Sequence, residues 1–234
     1  MVTGVSTLQL FLDQGNQKGW LSSNYILLMM IISMISIILF LVNSMRIKKP
    51  IVNLHVFKDR NFSLSTLSLA IFSGGVFSLI TLQPIMLESL FNYSTLKVGE
   101  VMAPRGIASA LGMALTAVLM KKLGVKPLLV VGILLSALST YLMTLFNLDT
   151  SPSYFVWTGV IGGFSMGLFM VPLSTFALLT IPKALITEGA GLFSYGRMLG
   201  TSIGVSVMGT ILSRMGQVSW NNLIGHISPY KATT

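Results

Sequence analysis

Between Tyr25 and Met45 the chain runs 21 residues (45 − 25 + 1) without a charged side chain. As a helix that stretch rises about 31 Å, the thickness of a bilayer's hydrocarbon core. Five more apolar runs follow: Phe62–Leu87, Val101–Met120, Pro127–Leu148, Tyr154–Ile181 and Glu188–Leu212. Backbone amides in lipid must be paired inside the segment that carries them, so runs of this length are read as helices. The expected class is an all-α integral membrane protein with about six transmembrane helices. Composition rules out the alternative, since only 9% of residues are charged. A water-facing surface needs about 25%.

The last two runs carry small residues at a fixed spacing. Gly159, Gly163 and Gly167 lie four apart in the first, and Gly196, Gly200 and Gly204 lie four apart in the second. Residues four apart share one helix face, so each helix is expected to present a flat stripe against a neighbour. Gly106, Ala110 and Ala114 form a shorter stripe of the same kind. Gly74-Gly75 and Pro84 predict a kink in the second run.

Several function classes are excluded or disfavoured. The net charge of +9 is spread over short loops between apolar runs, with no basic domain for nucleic acid. There is no cysteine, and His55 and His226 are far apart, so neither a disulfide nor a metal site is expected. No cofactor is expected either: Gly189–Gly196 superficially resembles a dinucleotide turn, but Ser194 stands where its third glycine belongs and no strand precedes it. All six acids, Asp13, Asp59, Glu88, Glu100, Asp149 and Glu188, fall in loops or near run ends. With no aspartate pair and no buried Ser–His couple within a span, an intramembrane enzyme is not expected.

Loop charge orients the spans. One side holds Arg46, Lys48, Lys49, Lys58, Arg60, Lys121, Lys122, Lys126 and Lys183; the other holds Lys18, Lys97, Arg214 and Lys231. The richer side is expected to be cytoplasmic, which sets both termini outside. The expected organisation is residues 1–61 as an outer loop with Trp20 at the interface, one helix and a basic cytoplasmic linker. Residues 62–234 then hold five helices and an outer tail that turns irregular after Leu212. Ile51, Val52, Leu54 and Phe57 of the linker are expected on the membrane surface.

Several segments resemble the EmrB/QacA-type drug:proton antiporters, the fourteen-span branch of the major facilitator superfamily. Leu12–Ser23 (LDQGNQKGWLSS) is similar to that family's L-D-x-G-x-x-x-x-W-x-S-S loop, and Pro50–Phe62 (PIVNLHVFKDRNF) to the start of its C-terminal half. Gln83, Asn92-Tyr93-Ser94, Gly99 and Pro104-Arg105-Gly106 follow the pattern of the next turn. MVPLSTFALLTIP (Met170–Pro182) and RMLGTSIG (Arg197–Gly204) resemble two late segments. The resemblance implies a partial major facilitator fold: one extra helix between the halves, then the first five helices of the C-terminal half.

It also implies a task, the exchange of amphipathic, often cationic, drugs for protons by alternating access in the bacterial inner membrane. The implied partners are the lipid bilayer, the missing N-terminal half and a periplasmic adaptor protein. On this reading the chain is truncated and inactive alone, because a cavity between halves needs both of them. The rival from another class is a non-transporting small membrane protein, a remnant or scaffold. Ala117–Lys126 (AVLMKKLGVK) resembles a degenerate copy of the superfamily's cytoplasmic gating loop, with Lys122, Gly124 and Lys126 fitting but Ala117, Lys121 and Val125 replacing its glycine, aspartate and arginine, and it reads equally as an ordinary positive-inside turn.

Candidate cavity residues come from polarity in an apolar setting. Arg197 sits nine residues (197 − 188) into its run and is read either as facing a wet cavity or a partner helix or as snorkelling to the cytoplasmic headgroups. Gln83 is expected to bond within the cavity or between helices. Phe72, Phe77, Phe164, Phe169, Phe193 and Tyr195 are read either as aromatic lining for apolar cations or as packing. Arg105, near the outer end of its run, is expected to snorkel to the headgroups.

Overall fold

A computed structural model describes residues 2–15, 23–46, 54–147 and 149–226. The described chain is helical: α1 (Val2–Gly15), α2 (Asn24–Arg46), α3 (Arg60–Ser89), α4 (Thr95–Leu123), α5 (Val125–Met143), α6 (Pro152–Leu179) and α7 (Ile186–His226). Short 3-10 turns cover Leu54–Lys58 and Lys183–Leu185. Among the described residues, α3, α4, α5 and α6 have the length and apolar character to cross a membrane. Two of the six expected spans are not among them: in α2 the apolar stretch is Asn24–Ser36, and α7, though one continuous helix, is less apolar. The positions read as Lys18, Trp20, Lys48, Lys49, Ile51, Val52, Leu148 and Lys231 lie outside the described residues.

Two expectations about the ends are corrected. Val2–Gly15, read as part of a polar outer loop, is helical. It is anchored at both sides, since the Ser33 hydroxyl donates to the Gly4 carbonyl at 3.1 Å and the Ser206 hydroxyl to the Leu12 carbonyl. The segment after Leu212, read as irregular, continues α7 as far as His226. Nothing in that stretch breaks a helix before Pro229; Gly216 only weakens it.

Two helix pairs organise the bundle. Along α3 and α7 the facing residues advance in step: Thr66 with Gly196, Ala70 with Gly200, Gly74 with Gly204. Along α4 and α6 Arg105 faces Gly163 and Gly112 faces Gly167. Both pairs are therefore parallel, as alternating spans two or four apart must be. A Cβ at Gly200 would strike the Ala70 backbone, and one at Gly163 the Arg105 carbonyl. Absent side chains bring the backbones together, and dispersion over that contact replaces a hydrophobic drive that lipid cannot supply.

Apolar clusters close the two ends. At one, Phe62, Leu69, Phe169, Leu173, Ala177 and Ile181 pack with Leu192 and Phe193 of α7. At the other, Leu87, Val98, Val101 and Phe155 gather under Phe91, Tyr93 and Phe146, with the Phe146 and Phe155 rings 4.4 Å apart. The first end is the one that the loop charges lead us to expect on the cytoplasmic side. α5 leans on α6, where Gly132 meets the backbone of Leu168 and Phe169, and leaves Val130, Ile133, Leu134 and Leu138 exposed as a lipid face.

Local chemistry sets the helix starts. Asp59 caps α3, its carboxylate accepting from the Phe62 N–H at 2.8 Å, and Ser94 caps α4. α4 passes to α5 through Gly124 alone, at φ 78°, a left-handed conformation that a side chain would strain.

Candidate functional site

The two arginines within the helical bundle have opposite surroundings. Arg105, expected to snorkel, is instead buried. Its Nη1 donates to Gln83 Oε1 at 2.9 Å, so α3 and α4 are joined through a charge-assisted hydrogen bond. A Cβ at Gly162 would stand 3.1 Å from Arg105 Nη2 and 2.7 Å from the Ser139 hydroxyl, so glycine is what leaves the guanidinium its room. Ser139 in turn donates to the Thr158 carbonyl at 2.8 Å, tying α5 to α6. Four helices thus meet at one polar cluster. The bond to Gln83 holds the guanidinium inside the bundle, and the apolar cluster of Val101 and Phe155 lies toward the near helix ends, which is why snorkelling loses.

Arg197 is exposed. It borders an open recess of about 440 Å³ between α3 and α7, together with Phe77 and Tyr195. Ser194, Met198, Thr201 and Ser202 complete the wall. Its backbone carbonyl accepts from the Ser73 hydroxyl at 3.0 Å, so the helix is pinned to α3 while the side chain stays unconstrained. Neither Arg197 nor Arg105 forms an ion pair among the described residues.

The structure therefore brings together three of the expected cavity residues, Arg197, Phe77 and Tyr195. Gln83 belongs to the Arg105 cluster. Phe72 and Phe169 stack on each other with centroids 3.9 Å apart. Phe193 is buried beside Phe62 in the cytoplasmic cluster, and Phe164 lies with its backbone against Gly112. Ser194, Met198, Thr201 and Ser202 were missed. Ser194 and Thr201, three before and four after Arg197, share its helix face by spacing, whereas Met198 and Ser202 do not. Among the gating-loop candidates, Lys121 and Lys122 sit in the last turn of α4, Gly124 is the turn itself, and Lys126 begins α5. The lysines at the α4 terminus complement its dipole. The stripe glycines face the partners described above, with Gly159 3.6 Å from the Arg105 Cβ when given a Cβ of its own.

At the cytoplasmic end Asp59 also accepts from the Thr180 hydroxyl at 2.9 Å, linking the start of α3 to the end of α6. The Phe62 N–H, and then Thr180 and the Asn61 N–H, hold its carboxyl below the usual aspartate range against a smaller opposing effect of burial. Among the described residues no group of three or more His, Cys, Asp or Glu is placed to hold a metal.

Comparison with known proteins agrees with this architecture. The Major Facilitator Superfamily model matches residues 15–205. The fatty acid resistance protein FarB of Neisseria gonorrhoeae is 28% identical over 233 residues, covering 100% of this chain and 46% of that protein. The multidrug export protein EmrB of Escherichia coli K12 is 26% identical, covering 98% of this chain and 45% of its own length. The multidrug transporter protein MdtP of Bacillus subtilis is 28% identical, covering 99% and 43%. The chain spans about half the length of these relatives. With most of its residues inside the family match and its apolar helices arranged in parallel, glycine-faced pairs, the chain belongs to the Major Facilitator Superfamily.

Proposed function

We propose that the chain forms the C-terminal wall of a multidrug exporter of the bacterial inner membrane, working by proton antiport. The observation that carries this reading is the recess at Arg197. An exposed arginine roughly 13 Å into a membrane helix is costly in lipid, by about 2.5–3.5 kcal/mol on insertion scales, and is tolerated where water or a ligand reaches it. Hydroxyl and aromatic neighbours around it suit amphipathic compounds, which need both a polar and an apolar contact.

The glycine contacts supply the second requirement, helices that can shift as units. Smooth α3–α7 and α4–α6 faces let each pair rock without unpacking. Proton coupling requires a titrating group in the membrane, and this chain places no acid in the middle of a span. We assign that group to an N-terminal half, which also supplies the opposing wall. A periplasmic adaptor is a further partner of the assembled exporter.

The test uses cells lacking their own exporters. Joined to or co-expressed with an N-terminal half, the chain should extrude amphipathic dyes, and collapsing the proton gradient should stop extrusion. The bare chain should extrude none. Gradient-driven efflux by the bare chain above a vector control would contradict the two-walled reading, and no efflux from the assembled protein would contradict the exporter reading.

A further inference from the structure

We infer that residues 84–103, the end of α3, the turn after it and the start of α4, form a hinged flap that opens and closes the bundle over the Arg105 cluster. Such motion lies within this chain and is independent of the exporter reading.

Two prolines set the hinges. Pro84 lies inside α3 and Pro104 inside α4, and neither has the N–H that would close a helical rung, onto Ile80 in the first and Glu100 in the second. In α3 the Thr81 hydroxyl also donates back to the Phe77 carbonyl at 2.8 Å, a bond that favours bending just before the proline. Each proline is the chain neighbour of one partner in the Gln83–Arg105 bond. That bond braces the two hinge points side by side, so rotation at both moves the tip between them as one piece.

The tip has its own framework. The Leu90 N–H donates to the Met86 carbonyl at 2.9 Å and the Tyr93 N–H to the Leu87 carbonyl at 3.1 Å. Asn92 turns the chain at a left-handed φ of 52°, Ser94 caps α4, and Lys97 bonds Glu100 at 3.0 Å. The hold on the rest of the bundle is of another kind. Among the described residues no hydrogen bond joins this tip to α5, α6 or α7. It is seated by apolar contact alone, with Leu87, Val98 and Val101 against Phe155. The Phe91 and Tyr93 rings stand 5.0 Å and 6.4 Å from that of Phe155. Such contacts part without leaving a buried donor or acceptor unpaired, so opening carries none of that penalty. Beyond Pro104 the case is reversed. There α4 meets α6 backbone to backbone at Gly163 and Gly167, and cannot follow. Opening therefore uncovers the otherwise buried Arg105 from the flap end.

The test is cysteine access in the full chain in lipid nanodiscs, where reagent reaches both faces. Val98→Cys places a thiol on the seated side of the flap, where Val98 is buried, and its reaction with a water-soluble maleimide reports opening. Phe91→Ala removes one seating ring and should speed labelling about tenfold. Pro84→Ala with Pro104→Ala restores both rungs and should slow labelling several-fold, alone and again in the Phe91→Ala background. The combined variant separates a moving flap from a hole left by the missing ring, which the prolines would not affect. Hydrogen exchange on the wild-type protein needs no variant: amides of residues 85–103 should exchange together and faster than those of Ile107–Thr116. Labelling that neither Phe91→Ala nor the proline replacements change, a Phe91→Ala gain that survives those replacements, or equal protection of the two segments would overturn the inference.

Discussion

The α4–α6 and α3–α7 pairs are built alike and use their arginines differently. In each, parallel helices touch through glycines, and in each an arginine sits beside the contact. In the first pair the arginine is sealed: Gln83 takes one donor, Gly162 makes space, and Ser139 closes the side. In the second only the backbone of Arg197 is held, by Ser73, and its side chain stands in a recess. The difference lies in what covers the pair. α5 leans on α6 and the aromatic cluster caps the outer end, whereas α6 and α7 scarcely meet along the recess. A charge enclosed on all sides holds helices together; a charge left open on one side is available to a ligand.

Breaking the shared feature should have the largest effect. Gly163→Leu and Gly200→Leu each place a side chain on partner backbone and should cost about 3 kcal/mol, at the upper end for overpacking, read as lower yield and melting temperature in detergent. Gly74 and Gly75 sharpen this within one helix turn. A Cβ at Gly74 would stand 2.8 Å from the Gly200 carbonyl, whereas one at Gly75 meets nothing within 4 Å. Gly74→Ala should therefore destabilise, and Gly75→Ala should be neutral or stabilising by up to about 1 kcal/mol. Equal melting shifts for the two would show that the stripes do not set the contact.

Next in size is the sealed arginine. Arg105→Ala leaves Gln83 buried without its donor and should cost about 1–3 kcal/mol. Replacing both partners with apolar groups of similar volume, Arg105→Met with Gln83→Leu, should recover most of that loss. A double variant no more stable than Arg105→Ala would mean the charge itself is required. Comparable truncation at Arg197 should leave melting unchanged, and a matching loss there would erase the contrast between the pairs.

The smallest effect is expected at the cytoplasmic end. Asp59→Ala removes the α3 cap and its link to Thr180, for a loss of about 1 kcal/mol. Because the folded-state pKa is lowered, the stabilisation is present above the ordinary aspartate range and is lost as pH falls through the lowered value. Wild-type melting should thus drop on acidification in that window, and Asp59→Asn should flatten that part of the profile. An unaltered profile would remove Asp59 from the account.

How much of this was legible in the sequence differs by feature. Apolar runs marked four of the six expected spans, α3 to α6, because hydrocarbon admits little else, and four-residue glycine spacing marked faces because helix geometry fixes which residues align. The fate of Arg105 was not legible. A cation near a run end fits snorkelling and burial equally well, and Gln83 on another helix and Gly162 on a third decide between them. Nor was α1, since Val2–Gly15 is too short and polar to announce a helix and is held through Ser33 and Ser206 of distant segments. The recess could be read only in part: Arg197 stood out by charge, but Ser194 and Thr201 looked like ordinary small residues until their side of α7 was known. Phe72, Phe169 and Phe193, which the sequence left open between lining and packing, lie against other rings or in the apolar cluster.

The contrast between a sealed cluster and an open recess is tested most directly by chemical access. Ser139 touches the Arg105 cluster and Ser194 borders the recess, and the chain has no cysteine of its own. Near-isosteric Ser139→Cys and Ser194→Cys variants, each treated with a water-soluble maleimide in native membranes, report access at the two sites with little disturbance. The account predicts that the Ser194→Cys protein reacts faster by more than an order of magnitude. Comparable rates at both sites, or faster labelling of Ser139→Cys, would contradict it.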